Sequence, residues 1–304
     1  MKEINNKWLE TAKKGFAKDE KLKVLQRCLA KNSIDASTYV LENETNDGFM
    51  FSIDIPTMTA TNQKQSGRCW IFAGLNLLRE IIAKKYNIES FELSQNYVAF
   101  YDKLEKINYA LESLIELKDK DNDDRVVHWV LSNGIADGGQ WDMLVNVIEK
   151  YGVVSKSAML ETAISSETRT INYLVNAMIR KFNEKIRKEN NIKEVQKMKE
   201  ATMKDAYNLL CTCFGTPPSK FDFEYVDKNK VYHLQKDITP LEFYKEYVGD
   251  TLKDYVSIVN APTQDKPYNE VYTVEHLGNV VGGKEIKYLN LEMPEFKKLV
   301  LKQL

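Results

Sequence analysis

Histidine is scarce in this sequence: only His128, His233 and His276 occur among 304 residues. Any reaction that needs an imidazole base has three candidates at most. Cysteine is nearly as rare, with Cys28, Cys69, Cys211 and Cys213. None has zinc-ligand spacing, and Cys211-Thr-Cys213 is too tight for a standard metal loop, so no metal and no other cofactor is expected. The opening Met1-Lys-Glu-Ile-Asn-Asn leads into no apolar run, so no signal peptide is expected. No stretch is long and apolar enough to span a bilayer, which argues against a membrane partner. The formal net charge is −1, so no global electrostatic partner is implied. What is abundant is apolar residue, at 43%, enough for a sizeable core in one large domain or two.

The chemistry concentrates in Gln63-Lys-Gln-Ser-Gly-Arg-Cys69-Trp-Ile-Phe-Ala73. Cys69 follows a Ser-Gly turn and opens an apolar helical pattern. A helix N-terminus has unpaired N–H groups and partial positive charge, both of which favour a thiolate. Gln63, six residues upstream, can offer a neutral amide donor to an oxyanion beside that nucleophile. Cysteine and glutamine in this order point to a cysteine peptidase.

The segment resembles the papain family, where cysteine followed by tryptophan opens the central helix. It departs at Ser66, where secreted members carry a disulfide cysteine, and at Arg68, where they carry serine or alanine. Gly-Arg-Cys-Trp-Ile-Phe-Ala is similar instead to the intracellular aminopeptidase C and bleomycin hydrolase branch. So are Ser94-Gln-Asn-Tyr-Val-Ala-Phe-Tyr101, Asp137-Gly-Gly-Gln-Trp-Asp-Met143 and Leu277-Gly-Asn-Val-Val-Gly-Gly283. The resemblance implies an α+β papain-like fold and a cytoplasmic thiol aminopeptidase acting on peptides, with hexamers enclosing the sites and a C-terminal tail selecting the free amine. Residue by residue, it makes Cys69 the nucleophile and Gln63 the oxyanion donor. Trp70 becomes a packing residue, and Gly139, beside Gly138, lets the substrate backbone pair with the cleft wall. The family's histidine and asparagine motifs do not occur in this sequence, so neither residue is carried over.

The pattern divides the chain into an N-terminal extension (1–55), a helical domain with the nucleophile helix (56–160), a helical insertion (161–258) and the start of a β domain (259–304). A short helix is expected over 21–30 with Leu22, Val24, Leu25 and Leu29 buried. Ile71, Phe72, Leu75, Leu78 and Ile82 stripe the nucleophile helix. Ser94 caps a second helix with Tyr97, Val98, Tyr101 and Leu104 inward. A third helix after Gly139 buries Met143, Leu144, Val147 and Ile148 and ends at Gly152 in an αL cap. Residues 165–210 read as one long charged helical segment striped by Ile171, Leu174, Val175, Met178, Phe182 and Ile186. Nine Lys or Arg face four Glu between 180 and 204. Thr239-Pro240 starts another helix. Alternation over 271–281 and 286–291 around Gly282-Gly283 signals a hairpin.

His128 lies in an apolar run and reads as a core histidine; His233 lies beside the insertion and His276 in the hairpin. With only the start of the β domain and no catalytic histidine, the chain is expected to be catalytically incomplete. That leaves two alternatives to the peptidase: a truncated paralogue acting in assembly, and a nucleic-acid binder using the basic 180–204 segment. The latter lacks the interleaved aromatics that favour single strands.

Overall fold

The computed structural model describes residues 3–46, 50 and 52–303. The chain divides into two units, Met1–Pro56 and Thr57–Leu304. Among the described residues the first holds four helices, α1 (Asn6–Lys18), α2 (Glu20–Leu29), α3 (Ile34–Ser37) and α4 (Leu41–Asn46). The expected extension 1–55 includes residues 1–2, 47–49 and 51, which lie outside the described residues. Asn5, Asp19 and Ser33 cap the first three helices with side-chain oxygens that accept backbone N–H groups. The stripe expected on α2 is not buried: Leu22, Val24, Leu25 and Leu29 are 42–54% exposed. Helices this short build no apolar layer of their own, and none of α1–α3 has a buried residue.

In the second unit, apolar spacing sets the helices as expected. Helix α5 (Cys69–Tyr86) buries Ile71, Phe72, Leu75, Leu78 and Ile82. Each such side chain contributes roughly 1.5–3 kcal/mol on leaving water. Helix α6 (Gln95–Glu116) is capped by Ser94, whose Oγ accepts from Tyr97 N–H at 3.1 Å. It buries Tyr97 and Val98 and half-buries Tyr101 and Leu104. Helix α7 (Arg125–Asn133) follows, and α8 (Trp141–Tyr151) buries Met143, Leu144, Val147 and Ile148 against α5 and α6.

Gly152 ends α8 with φ 76° and ψ −163°, so the expected αL cap is a different left-sided conformation. A Cβ there would lie 2.1 Å from the Pro240 carbonyl oxygen, a backbone atom. Gly152→Ala is therefore expected to cost at least ~1–3 kcal/mol from backbone strain alone. A thermal melt of the variant checks this, and an unchanged midpoint would refute it.

The charged segment is not one helix. After the one-turn α9 (Ala163–Ser166) come α10 (Arg169–Ile186) and α11 (Ile192–Phe214), with Asn191 capping α11. Helix α10 buries Ile171, Val175, Ile179, Phe182 and Ile186, but Leu174 is 45% exposed, so the true stripe is rotated from the expected one. The nine cations are spread over two helices and the turn between them, and surface pairs such as Glu184–Lys188 and Glu194–Lys197 engage some of them.

The region read as a wholly helical insertion also contains a hairpin. Strands β1 (Phe221–Val226) and β2 (Tyr232–Ile238) pair antiparallel, with an irregular register between Phe221 and Phe223. Phe221 and Phe223 face the core, where Phe243 and Tyr247 meet them edge-on or tilted. Helix α12 (Pro240–Phe243) begins with Pro240 behind a Thr239–Glu242 capping box.

A second sheet has the order β3–β5–β4, from β3 (Ile258–Val259), β4 (Val271–Tyr272) and β5 (Tyr288–Asn290). β4 and β5 pair antiparallel in the register Val271↔Leu289 and Tyr272↔Tyr288. The expected hairpin is thus far shorter in its strands and longer in its loop. Residues 273–287 leave the sheet because Asn279 is drawn into the core, where its amide donates to Asp102 Oδ1 (3.0 Å) and the Met143 carbonyl (2.9 Å). Helix α13 (Met293–Gln303) ends the described chain. Among the described residues no helix is long and apolar enough to cross a membrane.

Candidate active site

The segment before α5 is tied to that helix by its own polar residues. Arg79, buried in α5, donates to the carbonyls of Met58 (3.3 Å) and Thr59 (2.8 Å), while Glu80 accepts from Met58 N–H (2.9 Å). The chain then turns tightly through Lys64 and Gly67, both at positive φ. Ser66 Oγ donates to the Gln63 carbonyl (2.6 Å) and accepts from Arg68 Nε (2.8 Å). Arg68 is buried, and its two terminal nitrogens grip Glu161 at 3.3 and 2.9 Å. This fork-on-carboxylate geometry fixes orientation as well as charge.

Arg68 is also the N-cap of α5, and no side chain caps the helix. Its carbonyl accepts from Ile71 and Phe72, and no acceptor among the described residues meets the backbone N–H of Cys69 or Trp70. Cys69 is the first residue of the helix and is exposed. Free backbone donors and an accessible thiol thus meet at the positive end of an otherwise buried helix. Gln63 is half-buried, and its Oε1 is buried without a partner.

Next to Cys69, the Trp70 indole N–H donates to the Asp137 carbonyl (2.6 Å). Gly139 lies against the indole face: a Cβ there would sit 2.6 Å from Trp70 Cε2. Gly138 has open space where its Cβ would be. The glycine pair is therefore asymmetric, with Gly139 needed for close approach to Trp70.

The turn that carries these glycines is held by α6 and α10. Lys103 is 2% exposed and its ammonium donates to Asp137 Oδ1 (2.6 Å) and Asn172 Oδ1 (2.7 Å). Asp137 Oδ2 accepts from Thr168 (2.7 Å) and Asn172 (2.8 Å). Burial alone would raise the Asp137 carboxyl, but the Lys103 ammonium and the donors around it hold it below the usual carboxylate range. One helical turn further on, Lys106 pairs with Asp102 (2.8 Å) and donates to the carbonyls of Gly138 (2.7 Å) and Ala136 (3.2 Å).

The three histidines lie elsewhere. His128 is exposed on α7, not in the core as expected, because α7 buries Val127 and Val130 and turns residue 128 outward. His233 stacks on Tyr225 and lies 3.1 Å from Asp227. His276, in the long loop, has its Nδ1 3.3 Å from Ser113 Oγ. None has a hydrogen bond to Cys69.

A model of the Peptidase C1-like family matches residues 3–304. The chain belongs to that family. It is 45% identical to an aminopeptidase C from Listeria innocua serovar 6a, over 99% of this chain and 69% of that protein. It is 39% identical to a bleomycin hydrolase from Rattus norvegicus, over 91% of this chain and 61% of the relative. Its fold matches the crystal structure of PepW from Lactobacillus rhamnosis HN001 with a TM-score of 0.93 and 44% identity, covering 99% of this chain and 68% of that one. The mixed helix-and-sheet architecture is thus that of a Peptidase C1-like protein. Lys103, Lys106, Arg68 and Glu161 were not singled out from the sequence. The only signal was Asp102, Lys103 and Lys106 clustered on a helix that also carries an apolar stripe.

Proposed function

We propose that this chain is a cysteine aminopeptidase of the aminopeptidase C and bleomycin hydrolase type. The observation that carries the proposal is an accessible Cys69 at the uncapped start of α5, in a chain similar to aminopeptidase C over almost its whole length. Cys69 Sγ attacks the carbonyl carbon of the first peptide bond, and a tetrahedral oxyanion forms. The free Cys69 N–H and the Gln63 amide are its donors. The carbon–nitrogen bond then breaks, the amine leaves with the proton that the Cys69 thiol released to solvent, and water hydrolyses the thioester to return the thiol. Cys69 has no hydrogen bond to any of the three histidines, so the chain's residues are assigned the attack and the oxyanion, and no general acid. Gly139 and Gly138 form the wall along which the substrate backbone runs. The family resemblance extends the proposal to cytosolic peptides and a hexameric assembly.

The test is hydrolysis of aminoacyl fluorogenic amides beside their N-acetylated forms. Turnover by this chain should be weak, because no histidine meets Cys69, and confined to the free-amine substrates. Equal cleavage of both would overturn the exopeptidase assignment. Gln63→Ala is expected to lower kcat by ~10²–10³, the scale for one oxyanion donor. A change confined to KM would contradict the role given to Gln63.

A further inference from the structure

The side chains of the Gly138–Gly139 wall contribute little to holding it in place. Ala136, Gly138 and Gly139 carry almost no side chain, and Gly138 meets nothing where a Cβ would be. Behind Ala136 and Gly138 lies a cavity of about 150 Å³, bordered by Tyr109, Trp129 and Met143 among others. On that side packing leaves the Ala136 and Gly138 backbone room to shift. A cavity of that kind lets a segment move when its polar ties are cut.

Asp137, between Ala136 and Gly138, is held by Lys103, Thr168 and Asn172, but the carbonyls on either side of it are tied to one side chain. Lys106 is 8% exposed and its ammonium has three protons. Each has an acceptor: Asp102 Oδ2 at 2.8 Å, Gly138 O at 2.7 Å and Ala136 O at 3.2 Å. The same nitrogen stands 5.0 Å from the centre of the Trp70 ring, within cation–π range. Asp102 is itself buried and is held from its other side by Asn279. Trp70 follows Cys69 in the chain and carries Gly139 against its face. Lys106 thus ties the indole beside the nucleophile to the carbonyls of the wall.

The geometry points to Lys106 as a positioning residue that sets the Gly138–Gly139 wall at its working distance from Cys69 and so governs how a peptide backbone is held. The inference rests on the cysteine peptidase reading. A misplacement of about 1 Å at such a wall costs on the order of a hundredfold in productive binding or rate. Lysine is suited to this task because its ammonium reaches two carbonyls and a carboxylate at once. Arginine, a planar fork, does not reproduce that geometry.

The experiment compares two alkylating agents on the whole chain. Iodoacetamide reports the thiol alone, whereas a dipeptidyl chloromethyl ketone must first bind through its backbone. Labelling of wild-type Cys69 by the dipeptidyl reagent, with saturation, tests the peptidase reading. Its absence would sink that reading, whatever Lys106 does. In Lys106→Met, the inhibition constant of the dipeptidyl reagent is expected to rise roughly ten- to hundredfold. The iodoacetamide rate is expected to stay within about twofold of wild type, since it needs no backbone contact. Lys106→Met leaves Asp102 buried without its cation, so Asp102→Asn with Lys106→Met is measured as well and is decisive if the single variant does not fold. An unchanged inhibition constant in the folded variant overturns the inference, as does an equal fall in both reactions, which would mean that Lys106 acts on the thiol or the fold at large.

Discussion

Cys69→Ala is expected to abolish the aminoacyl-amide hydrolysis of this chain, because no other residue of the site can form the thioester. The argument is one of placement. Cys69 is exposed at the first position of α5, with free backbone N–H groups beside it and no side chain competing for them. The other cysteines lack that setting. Cys28 is exposed but lies within α2 of the N-terminal unit. Cys211 and Cys213 sit inside α11, and burial pushes the Cys213 thiol up, which slows its alkylation. Alanine at Cys28, Cys211 or Cys213 should therefore leave hydrolysis within about twofold, as expected of sites away from the reacting atoms. The measurement is steady-state hydrolysis for all four variants, with mass spectrometry of the labelled protein to locate the adduct. Residual turnover above a few per cent in Cys69→Ala would remove Cys69 from the mechanism.

How much of this was legible in the sequence depends on how local the cause was. The start of α5 was readable because Ile71, Phe72, Leu75, Leu78 and Ile82 repeat at helical spacing directly after Cys69, and burial follows that spacing. The cap at Ser94 was readable because a hydroxyl three residues ahead of a free N–H is a local device, and the start of α12 because proline is tolerated in a first turn. The β1–β2 hairpin was missed although Phe221, Phe223 and Tyr225 alternate with polar residues; the strong helical signal upstream of Pro217 was carried too far. The alternation over 271–281 misled in the opposite sense. Burial in the folded loop does not follow that alternation: adjacent Asn279 and Val280 are both buried, and Asn279 is pulled inward by distant partners, Asp102 and Met143. The same holds at the site. Lys103 and Lys106 would ordinarily be assigned to solvent. Their partners Asp137 and Gly138 are more than thirty positions away, so only the folded chain shows that they are buried.

Asp137→Ala is expected to destabilise the second unit by ~3–5 kcal/mol, the cost of leaving a buried charge without its partner. Lys103 is almost wholly enclosed, and Asp137 is its only carboxylate partner within 4 Å among the described residues. Removing the carboxylate also strands the Asn172 amide that donates to it, while the Thr168 hydroxyl keeps the Ser66 carbonyl at 3.2 Å. Lys103→Met should cost less, because methionine fills the stem's space and Asp137 retains two donors. In the double variant Lys103→Met with Asp137→Ala no unpaired ammonium remains. Its loss should therefore be smaller than the sum of the single losses, by ~1–3 kcal/mol, the range for residues in one network. Urea denaturation of the four proteins at pH 7 measures this, and strictly additive losses would mean that the pair is not coupled. The pH dependence gives an independent check. The folded Asp137 carboxyl titrates below its unfolded counterpart, so its contribution is fully present above the unfolded value of about 3.9 and fades as pH falls through the folded one. The stability gap between wild type and Asp137→Ala should accordingly be constant from about pH 7 down to about pH 5 and narrow below about pH 4. A gap that widened on acidification would show the carboxyl to be held in its protonated form, contrary to the donors that surround it.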